Sequence, residues 1–343
     1  MTASRGPHAP RVAVVGAGIA GLAAANELHR AGFRVSVVDK GRNPGGRMSR
    51  KRSPTDATTG WDHGAQYFTV RDPGFARQVA DWQRGGVVDE WCGRFVEVQG
   101  TAVVAAPTRQ HWVGKPAMNA PARDLAARLP HGTVRCECRV ERVVREGTGF
   151  RLLPSAATKA VDAWETSFDA VVVTAPAPQA AQLLEPETAL CERLRQVQAL
   201  PCVALMLGFD RPLDVPWDAA RIQHHPVLSW VAREGSKPGR APGERWVLHA
   251  THAWSGTHFE DQGADAALLE AFASLTGTRT APMVSVRHGW RFALVEQPLG
   301  EPWIGSADGR LVVAGDACLG ARVEDAWRSG SVAGSRLATT LRS

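Results

Sequence analysis

The order of apolar and polar residues predicts a strand, a helix and a second strand at the start of the chain. Four apolar residues, Val12 to Val15, are typical of a short buried strand. The apolar positions that follow predict a helix ending at about Ala31, and a second apolar run, Val35 to Val38, ends at Asp39. The pattern therefore predicts a strand–helix–strand unit with two parallel strands.

Buried strands of the same kind return later in the chain. The segment DAVVVTAP, Asp169 to Pro176, predicts a strand that stops at Thr174. Leu311 to Ala314 predicts another, and Val323 to Leu341 has the pattern of a closing helix. These elements indicate that the first unit is assembled from separate parts of the chain.

The stretches between these parts have a less regular pattern. A helix is predicted over Phe75 to Trp82, another over Met118 to Leu129, and alternating strands over Thr133 to Glu146. Further strands are predicted at FVEV, HWV, CVALMLGF, VLSWVA, RWVLHAT and VSVRHGWRFAL, with a helix near 264–275.

The length of 343 residues is enough for two domains. We therefore predict an α/β fold in which a Rossmann-type dinucleotide-binding domain is followed by a second, mixed-sheet substrate domain. The expected bounds are 1–75, 118–176 and 297–343 for the first domain and 76–117 and 177–296 for the second.

Three glycines between the first strand and helix have the spacing of a dinucleotide-binding loop. Gly16 is expected to form the tight turn, Gly18 to let a pyrophosphate approach the backbone, and Gly21 to let the helix lie close to the sheet. The helix N-terminus offers N–H groups to the phosphates. Asp39 is placed to accept hydrogen bonds from ribose hydroxyls, and its charge disfavours a 2′-phosphate there.

Two later segments extend this candidate site. Gly46 lies in a glycine- and arginine-rich loop that allows a second close backbone approach, and Arg47 is placed to meet a phosphate or ribose. The segment Trp61 to Val70 contains the only tyrosine, Tyr67, and it suits either the lining of a flat ring or a core strand.

Charge and composition exclude several classes of protein. The net charge of +6 suits phosphorylated ligands, but no basic run or recognition-helix motif indicates nucleic-acid binding. The leader 1–10 has no apolar core of a secretory signal, and no run of about 18 apolar residues predicts a membrane span. None of the six cysteines forms Cys-x-x-Cys, so we expect no metal site and buried, reduced thiols in a cytoplasmic protein.

Together these segments resemble the flavin amine-oxidase superfamily, and more closely its renalase branch. The resemblance is carried by GAGIAG with Asp39, PGGRMS, DHGAQYFT, the SKPGR turn, WVLHAT, WRFALVEQP and GDACLGARVEDAWRSG, which span nearly the whole chain in order. It implies a non-covalently bound FAD, held in extended form by a domain of the glutathione-reductase/amine-oxidase type.

The resemblance also implies a set of cofactor-binding positions. In addition to the glycine loop and Asp39, it places Val140 at the adenine, Asp316 at the ribityl chain, and the backbone near Glu324 and Asp325 at the flavin edge. The full set of expected contacts is Gly16, Gly18, Ala20, Gly21, Asp39, Lys40, Gly46, Arg47, Gly64, Ala65, Gln66, Tyr67, Val140, Thr174, Asp316, Glu324, Asp325 and Ala326.

The chain departs from the family pattern in two places. Amine oxidases often have Arg two residues after the strand-end acid, where this chain has Gly41 and then Arg42. A tyrosine-rich amine cage cannot be built from one tyrosine. No site for a covalent flavin link matches, and Cys318 is expected to be packed rather than attached.

The renalase-like resemblance implies oxidation of misreduced nicotinamides, the 2- and 6-dihydro forms of NAD(P), with dioxygen as electron acceptor and hydrogen peroxide as product. The expected substrate-pocket residues are Trp230, His249, Trp290 and Arg291, on predicted strands of the second domain. Two alternatives stay open, an FAD-dependent amine oxidase and a non-catalytic binding protein. The expected partners are a small substrate and dioxygen, with neither nucleic acid nor membrane.

Overall fold

The computed structural model describes residues 9–156, 158, 167–185 and 187–343, so most of the predicted leader lies outside the described residues. In chain order the strands are β1 (Arg11–Val15), β2 (Arg34–Val38), β3 (Arg50–Arg52), β4 (Gly60–Asp62), β5 (Val88–Glu90), β6 (Phe95–Gln99), β7 (Ala102–Ala105), β8 (Trp112–Gly114), β9 (Val134–Arg135), β10 (Val140–Glu146), β11 (Gly149–Pro154), β12 (Ser167–Phe168), β13 (Ala170–Val173), β14 (Gln198–Phe209), β15 (Ala219–Gln223), β16 (Leu228–Arg233), β17 (Glu244–Ala250), β18 (Val284–Gln297), β19 (Ile304–Gly305) and β20 (Leu311–Val313). The helices are α1 (Ile19–Arg30), α2 (Pro73–Arg84), α3 (Ala120–Ala127), α4 (Ala177–Leu183), α5 (Thr188–Arg195), α6 (His252–Thr257), α7 (Asp265–Thr276), α8 (Asp316–Leu319) and α9 (Val323–Thr340).

The chain forms two compact units, each assembled from separate segments. The first contains Met1–Gly46, Ala122–Gln198 and Val295–Ser343, and the second contains Arg47–Pro121 and Ala199–Leu294. Small shifts from the expected bounds occur at 118–121 and 295–296, and the two large differences are at 47–75 and 177–198.

Local packing explains both differences. Residues 47–75 belong to the second unit because β4 packs on β17, and the Trp61 indole N–H donates to the Leu207 carbonyl over 3.0 Å. Residues 177–198 belong to the first unit because α4 packs on β10, and Leu190 and Leu194 of α5 are buried in the first unit's core.

The first unit is built around a six-stranded sheet with the strand order β19-β20-β13-β1-β2-β9. All its neighbouring strands are parallel except β19 and β20. The central strands β1 and β13 are almost entirely buried, as expected for a sheet covered on both faces. This is the predicted Rossmann-type α/β arrangement, and the expected fold class is confirmed.

Helix α1, which follows the glycine loop, is packed closely against α9. Gly330 of α9 lies so near α1 that a Cβ atom there would collide with the Ala20 backbone, and Gly334 lies similarly near Ala24. The spacing of these glycines puts both on one face of α9. The absence of side chains at these two glycines therefore allows α9 to pack directly on α1 and to hold it in position.

The second unit contains a seven-stranded mixed sheet with the order β18-β14-β17-β16-β15-β6-β7. β15 and β6 are parallel, whereas β16 pairs antiparallel with both β15 and β17. One face carries a core in which Trp246 and Leu205 pack with α7 through Leu268 and Phe272. In the described part of the chain, no helix is long and apolar enough to cross a membrane.

Candidate functional site

The glycine loop between β1 and α1 has the geometry that its spacing predicts. Gly16 has a φ of +115°, and a Cβ there would collide with the Thr174 hydroxyl. A Cβ at Gly21 would collide with the Gly16 carbonyl, so α1 passes directly against the turn. Gly18 is different, because no atom beyond its own residue and its two chain neighbours lies within 4 Å of its potential Cβ. That open space lies at the N-terminus of α1, where a pyrophosphate fits the free helical N–H groups.

Asp39, at the end of β2, is held by backbone donors on both sides. Its Oδ2 accepts from the Ala17 N–H and its Oδ1 accepts from the Gly41 N–H, each over 2.6 Å. A Cβ at Gly41 would lie 2.9 Å from Oδ1, so glycine at this position permits the contact. Each carboxylate oxygen keeps a lone pair that can accept from a ribose hydroxyl.

Thr174 ties β13 to the glycine loop. Its hydroxyl donates to the carbonyls of Val15 and Gly16, at 3.1 and 3.3 Å. Gly46 lies beside the same loop, since a Cβ there would be 3.4 Å from the Gly18 Cα. The structure therefore brings these predicted residues together, with Ala20 in the first turn of α1. Thr174 acts by positioning the turn.

Two other predicted positions lie beyond the end of β2. The Cys138 N–H donates to the Asp39 carbonyl over 2.8 Å, and Val140 begins β10 two residues later with 8% of its surface exposed. Lys40 is exposed, and its ammonium donates to Gln179 over 3.1 Å. The backbone around Val140 thus runs beside the strand-end acid, whereas the Lys40 side chain extends to α4.

The predicted contacts near the C-terminus lie at the starts of α8 and α9. Asp316 is buried as the first residue of α8. Glu324 and Asp325 are buried in the first turn of α9, where both pair with Arg322 at 2.9 and 3.2 Å. Their side chains are therefore engaged, while first-turn N–H groups of a helix lack intrahelical partners. The Ala326 N–H is already used, because it donates to the Arg322 carbonyl over 3.1 Å.

The remaining predicted cofactor residues belong to the second unit. The Arg47 carbonyl accepts from the Ala65 N–H over 2.9 Å, and a Cβ at Gly64 would collide with the same carbonyl. The Arg47 guanidinium donates to the Phe292 carbonyl over 3.2 Å. Gln66 is buried, and its amide oxygen accepts from the Lys237 ammonium over 3.1 Å.

Sequence reasoning missed the buried ionic group around Gln66, which we call the Lys237 cluster. Lys237 donates to Glu234 over 2.9 Å and lies 3.5 Å from Asp62, while Arg240 pairs with both acids. The four charges balance. The members of the cluster are Asp62, Gln66, Glu234, Lys237 and Arg240.

The surroundings shift the pKa values of the two acids of the cluster in opposite directions. Burial tends to raise the pKa of Asp62, but Arg240, Lys237 and the Met118 N–H together lower it to about 2. Burial, together with the nearby Asp62 charge, raises the pKa of Glu234. In the sequence, the SKPGR turn contains Lys237 and Arg240 and the DHGAQYFT segment contains Asp62 and Gln66, but neither pattern indicates a buried ionic group.

Two predicted pocket residues meet at one backbone carbonyl. The His249 Nε2 and the Trp290 indole N–H both donate to the His63 carbonyl, at 3.1 and 3.0 Å. Since a carbonyl only accepts, His249 carries its proton on Nε2, which leaves Nδ1 as an acceptor. The His63 ring stacks on Trp290 with centroids 4.9 Å apart, and His288 contacts both rings edge-on.

These imidazoles are neutral at physiological pH. Burial, reinforced by His288 and Lys51, lowers the pKa of His63 to about 3. Burial also lowers the pKa of His249 to about 4 and lowers that of His288. This part of the second unit therefore offers flat aromatic surfaces without an imidazolium charge.

Trp230 lies on the same sheet face as His249, because the two are register partners across β16 and β17. The β16 register shifts between Leu228 and Trp230, and the Ser229 hydroxyl donates to the carbonyls of His249 and Ala250. Such bulges reorient neighbouring side chains. The tilted Tyr67 ring lies 5.6 Å from the Trp230 ring.

Arg291 is not brought to this group. Its side chain is exposed, pairs with Glu260 and lies over the Phe259 ring at 4.5 Å. Because neighbouring residues of a strand point to opposite faces, Arg291 is directed away from the Trp290 side. The expectation that Arg291 lines the pocket with Trp290 has no support in this geometry.

All six cysteines are free thiols. Four of them are buried as expected, but Cys92 is exposed and Cys136 is only partly buried, so the expectation is wrong for these two. Cys318 is fully buried, and burial raises the pKa of its thiol to about 12. A buried, protonated thiol fits packing rather than attachment to a flavin.

Comparisons with known proteins agree with this fold and with the nucleotide-binding geometry. A family model described as flavin containing amine oxidoreductase matches residues 103–337, and one described as NAD(P)-binding Rossmann-like domain matches residues 14–81.

Several solved structures share the fold at low sequence identity. Cyclohexylamine oxidase from Brevibacterium oxydans IH-35A is 13% identical with a TM-score of 0.76, and the match covers 98% of this chain and 100% of that one. An oxidoreductase from Methanosarcina mazei is 12% identical with a TM-score of 0.71, covering 94% and 99%. Putrescine oxidase bound to putrescine is 12% identical with a TM-score of 0.67, covering 98% and 99%.

The first family model covers most of the chain, and the open glycine loop with its strand-end acid fits a dinucleotide cofactor. The protein therefore belongs to the flavin containing amine oxidoreductase family and is an FAD-dependent oxidoreductase.

Proposed function

We propose that this oxidoreductase is of the renalase type and oxidises 2- and 6-dihydro forms of NAD(P). The observation that carries the proposal is the chemistry of the second unit's sheet face, where aromatic rings lie beside neutral imidazoles. Trp230 and His249 share that face, and Trp290 is joined to His249 through the His63 carbonyl. Flat apolar walls with a few polar anchors suit a dihydropyridine ring.

In this proposal the first unit holds FAD without a covalent bond. Gly18 and the N-terminus of α1 would hold the pyrophosphate, and Asp39 would accept from the adenosine ribose. Asp316 and the first turn of α9 would serve the ribityl chain and the flavin edge. The support is the open space at Gly18 and the pair of backbone donors that fixes the Asp39 carboxylate.

The reaction needs no base from the protein. A dihydropyridine becomes an aromatic pyridinium by losing a hydride, so the residues of the pocket would only have to orient the ring. FAD, when bound, would supply the hydride acceptor and the route for two electrons to dioxygen. The balance is one dihydronicotinamide, one dioxygen and one proton giving NAD(P)⁺ and hydrogen peroxide. The neutral state of His249 agrees with an anchoring role, since its Nδ1 can accept from a carboxamide N–H.

Membership of the flavin containing amine oxidoreductase family favours the amine-oxidase alternative. The charges and aromatic residues of the second unit argue against it. Acids that could attract an ammonium group near Gln66 are already neutralised, because Asp62 and Glu234 pair with Lys237 and Arg240. Only one tyrosine, Tyr67, is present for an aromatic cage.

Anaerobic mixing with a substrate panel separates the two functions. We expect 2- and 6-dihydro-NAD to bleach the flavin absorbance rapidly, whereas cyclohexylamine and putrescine leave it unchanged. Admission of air should then restore the absorbance with one hydrogen peroxide per substrate oxidised. Bleaching by the amines and not by the dihydronicotinamides would instead establish the amine oxidase.

Replacement of Trp290 should slow flavin reduction without emptying the flavin site. Trp290→Ala removes an aromatic wall, and a loss of ~2–3 kcal/mol corresponds to a roughly 30- to 150-fold slower reduction by dihydronicotinamide. His249→Ala removes a single polar anchor worth ~0.5–1.5 kcal/mol, so a roughly 2- to 12-fold effect is expected. Stopped-flow reduction of the bound flavin measures both.

The conservative variant Trp290→Phe is the matched control for this prediction. It keeps an aromatic face but removes the N–H that donates to the His63 carbonyl. We expect most of the reduction rate to survive, because His249 still satisfies that carbonyl. Normal FAD content and thermal melts must accompany the slow rate of Trp290→Ala, and an unchanged rate would return Trp290 to a purely structural role.

A further inference from the structure

Four side chains of the second unit form a compact polar group on one side of the seven-stranded sheet, which we call the Arg221 cluster. Arg221 and Trp230 are register partners on β15 and β16, and Arg221 donates to the Tyr67 hydroxyl over 3.1 Å. The Tyr67 ring lies 4.2 Å from the His111 ring and 5.6 Å from the Trp230 ring. The members are Tyr67, His111, Arg221 and Trp230.

Within the part of the chain that the structure describes, the cluster has one buried hydrogen-bond donor without an acceptor and one arginine without an ion pair. Among the described residues Arg221 forms no ion pair, and its cross-strand neighbour Glu97 instead accepts from Gln223 over 3.1 Å. The Trp230 indole N–H is buried without an acceptor. Such an N–H can only donate, and leaving it unpaired destabilises the protein.

His111 adds a second unsatisfied group next to Arg221. Only 7% of its surface is exposed, and its Nδ1 has no hydrogen-bond partner. Burial, with the charges of Arg109 and Arg221 nearby, lowers the pKa of His111 to about 4. The neutral ring leaves Arg221 and Arg109 as the nearby positive charges, and a negative ligand would stabilise them.

We infer that the Arg221 cluster is an anion-binding subsite that takes a phosphate group of the substrate. An arginine without a carboxylate partner and an unpaired indole donor match an acceptor-rich, negatively charged group. A positive cluster also disfavours an ammonium substrate, so the subsite discriminates nucleotides from amines. The inference rests on the proposed function for the identity of the substrate but not for the existence of the anion site.

Two variants test the subsite, with a matched control. Arg221→Gln removes the charge, and Arg221→Lys retains it without the planar fork. Arg211→Gln is the control, because Arg211 is also exposed and also donates to a single hydroxyl, that of Thr280 over 3.2 Å. Each is prepared with FAD bound, so that the glycine loop is filled and cannot bind the probe.

The first measurement is the dissociation constant of the substrate from anaerobic flavin reduction. Arg221→Gln should weaken 6-dihydro-NAD about 10- to 100-fold, the range of a charge-assisted hydrogen bond, with little change in the limiting rate. The uncharged N-methyl-1,6-dihydronicotinamide should be unaffected, and Arg221→Lys should recover part of the loss. The subsite is ruled out if Arg221→Gln weakens 6-dihydro-NAD no more than Arg211→Gln does.

The second measurement is calorimetric binding of inorganic pyrophosphate to the same holoenzymes. Binding should be lost in Arg221→Gln, weakened in Trp230→Phe and retained in Arg211→Gln. This measurement distinguishes a failure of the anion subsite from a failure of the proposed function. If no dihydronicotinamide reduces the flavin, the proposed function fails, whereas equal pyrophosphate binding by the Arg221→Gln and Arg211→Gln proteins overturns the anion subsite itself.

Discussion

Gly18→Val should give a folded protein that has lost nearly all of its FAD. The Cβ would enter the open space at the start of α1, where no protein atom beyond the chain neighbours lies within 4 Å of it, so we expect the added side chain to displace the ligand. Gly18 has φ −77° and ψ 177°, an extended conformation in which valine is favourable. We expect flavin content to fall by about tenfold or more, because the rigid turn cannot move the valine side chain away from the pyrophosphate.

The backbone at Gly18 gives no reason to expect that this variant is unstable. A turn glycine can have a backbone conformation forbidden to valine, but Gly18 does not. The remaining cost is that of a poor helix N-cap, about 1 kcal/mol or less. Gly18→Ser, which caps well, removes that cost and should still lower flavin binding.

Gly256→Val is the matched control, because a Cβ at Gly256 likewise has no neighbour within 4 Å. Its flavin content should equal that of the wild type. Acid precipitation followed by absorbance of the supernatant measures the flavin, and colour left in the pellet would disprove non-covalent binding. Full occupancy in Gly18→Val would mean that the pyrophosphate does not lie at Gly18.

The glycine loop shows what sequence alone predicts well. Its strand, turn, helix and acid are consecutive, and each has one local cause, so spacing is enough to place Gly16, Gly21 and Asp39. The partners of those residues come from elsewhere in the chain. Thr174, which locks the turn, is more than 150 residues away, and nothing local indicates that its hydroxyl bonds the Val15 and Gly16 carbonyls.

The site residues of the second unit are harder to predict from sequence, because the register of its strands decides which side chains lie together. Trp230 and His249 were identified from their segments, but Arg221 becomes relevant only as the cross-strand partner of Trp230. His63 acts through its backbone carbonyl, which any residue possesses. Arg291 follows Trp290 directly in sequence, yet strand alternation sends it to Glu260.

Burial of charge is the feature that composition hides most effectively. Lys237 lies in a turn with proline, glycine and arginine, a pattern usual for exposed loops. In the structure only 2% of its surface is exposed, and three side chains surround its ammonium. A prediction of burial requires the position of Asp62, which lies far away in the sequence.

Lys237→Met should be among the most destabilising single substitutions in the second unit. It leaves Asp62 and Glu234 facing Arg240 alone, so one uncompensated negative charge stays buried. Removal of one partner from a buried ion pair costs about 3–5 kcal/mol in the free energy of unfolding. Lys115→Met is the control, since Lys115 also pairs with an aspartate, Asp89 at 3.2 Å, but both side chains are 44% exposed. Its expected cost is below about 1 kcal/mol.

If Lys237 stabilises the protein through its charge, two further results are expected for Lys237→Met. Urea unfolding measures the free energy of unfolding in both cases. Burial and Asp62 already raise the pKa of Glu234, and loss of the ammonium raises it further. A carboxyl with a raised folded pKa favours the folded state at low pH and loses that contribution as pH rises through the folded pKa. The loss of unfolding free energy in Lys237→Met should therefore become smaller as the pH is lowered from 8 to 5.

Adding Glu234→Gln removes the surplus negative charge, so the double variant should be more stable than Lys237→Met alone. A deficit that is independent of pH and is not reduced by Glu234→Gln would show that Lys237 contributes by packing and not by charge.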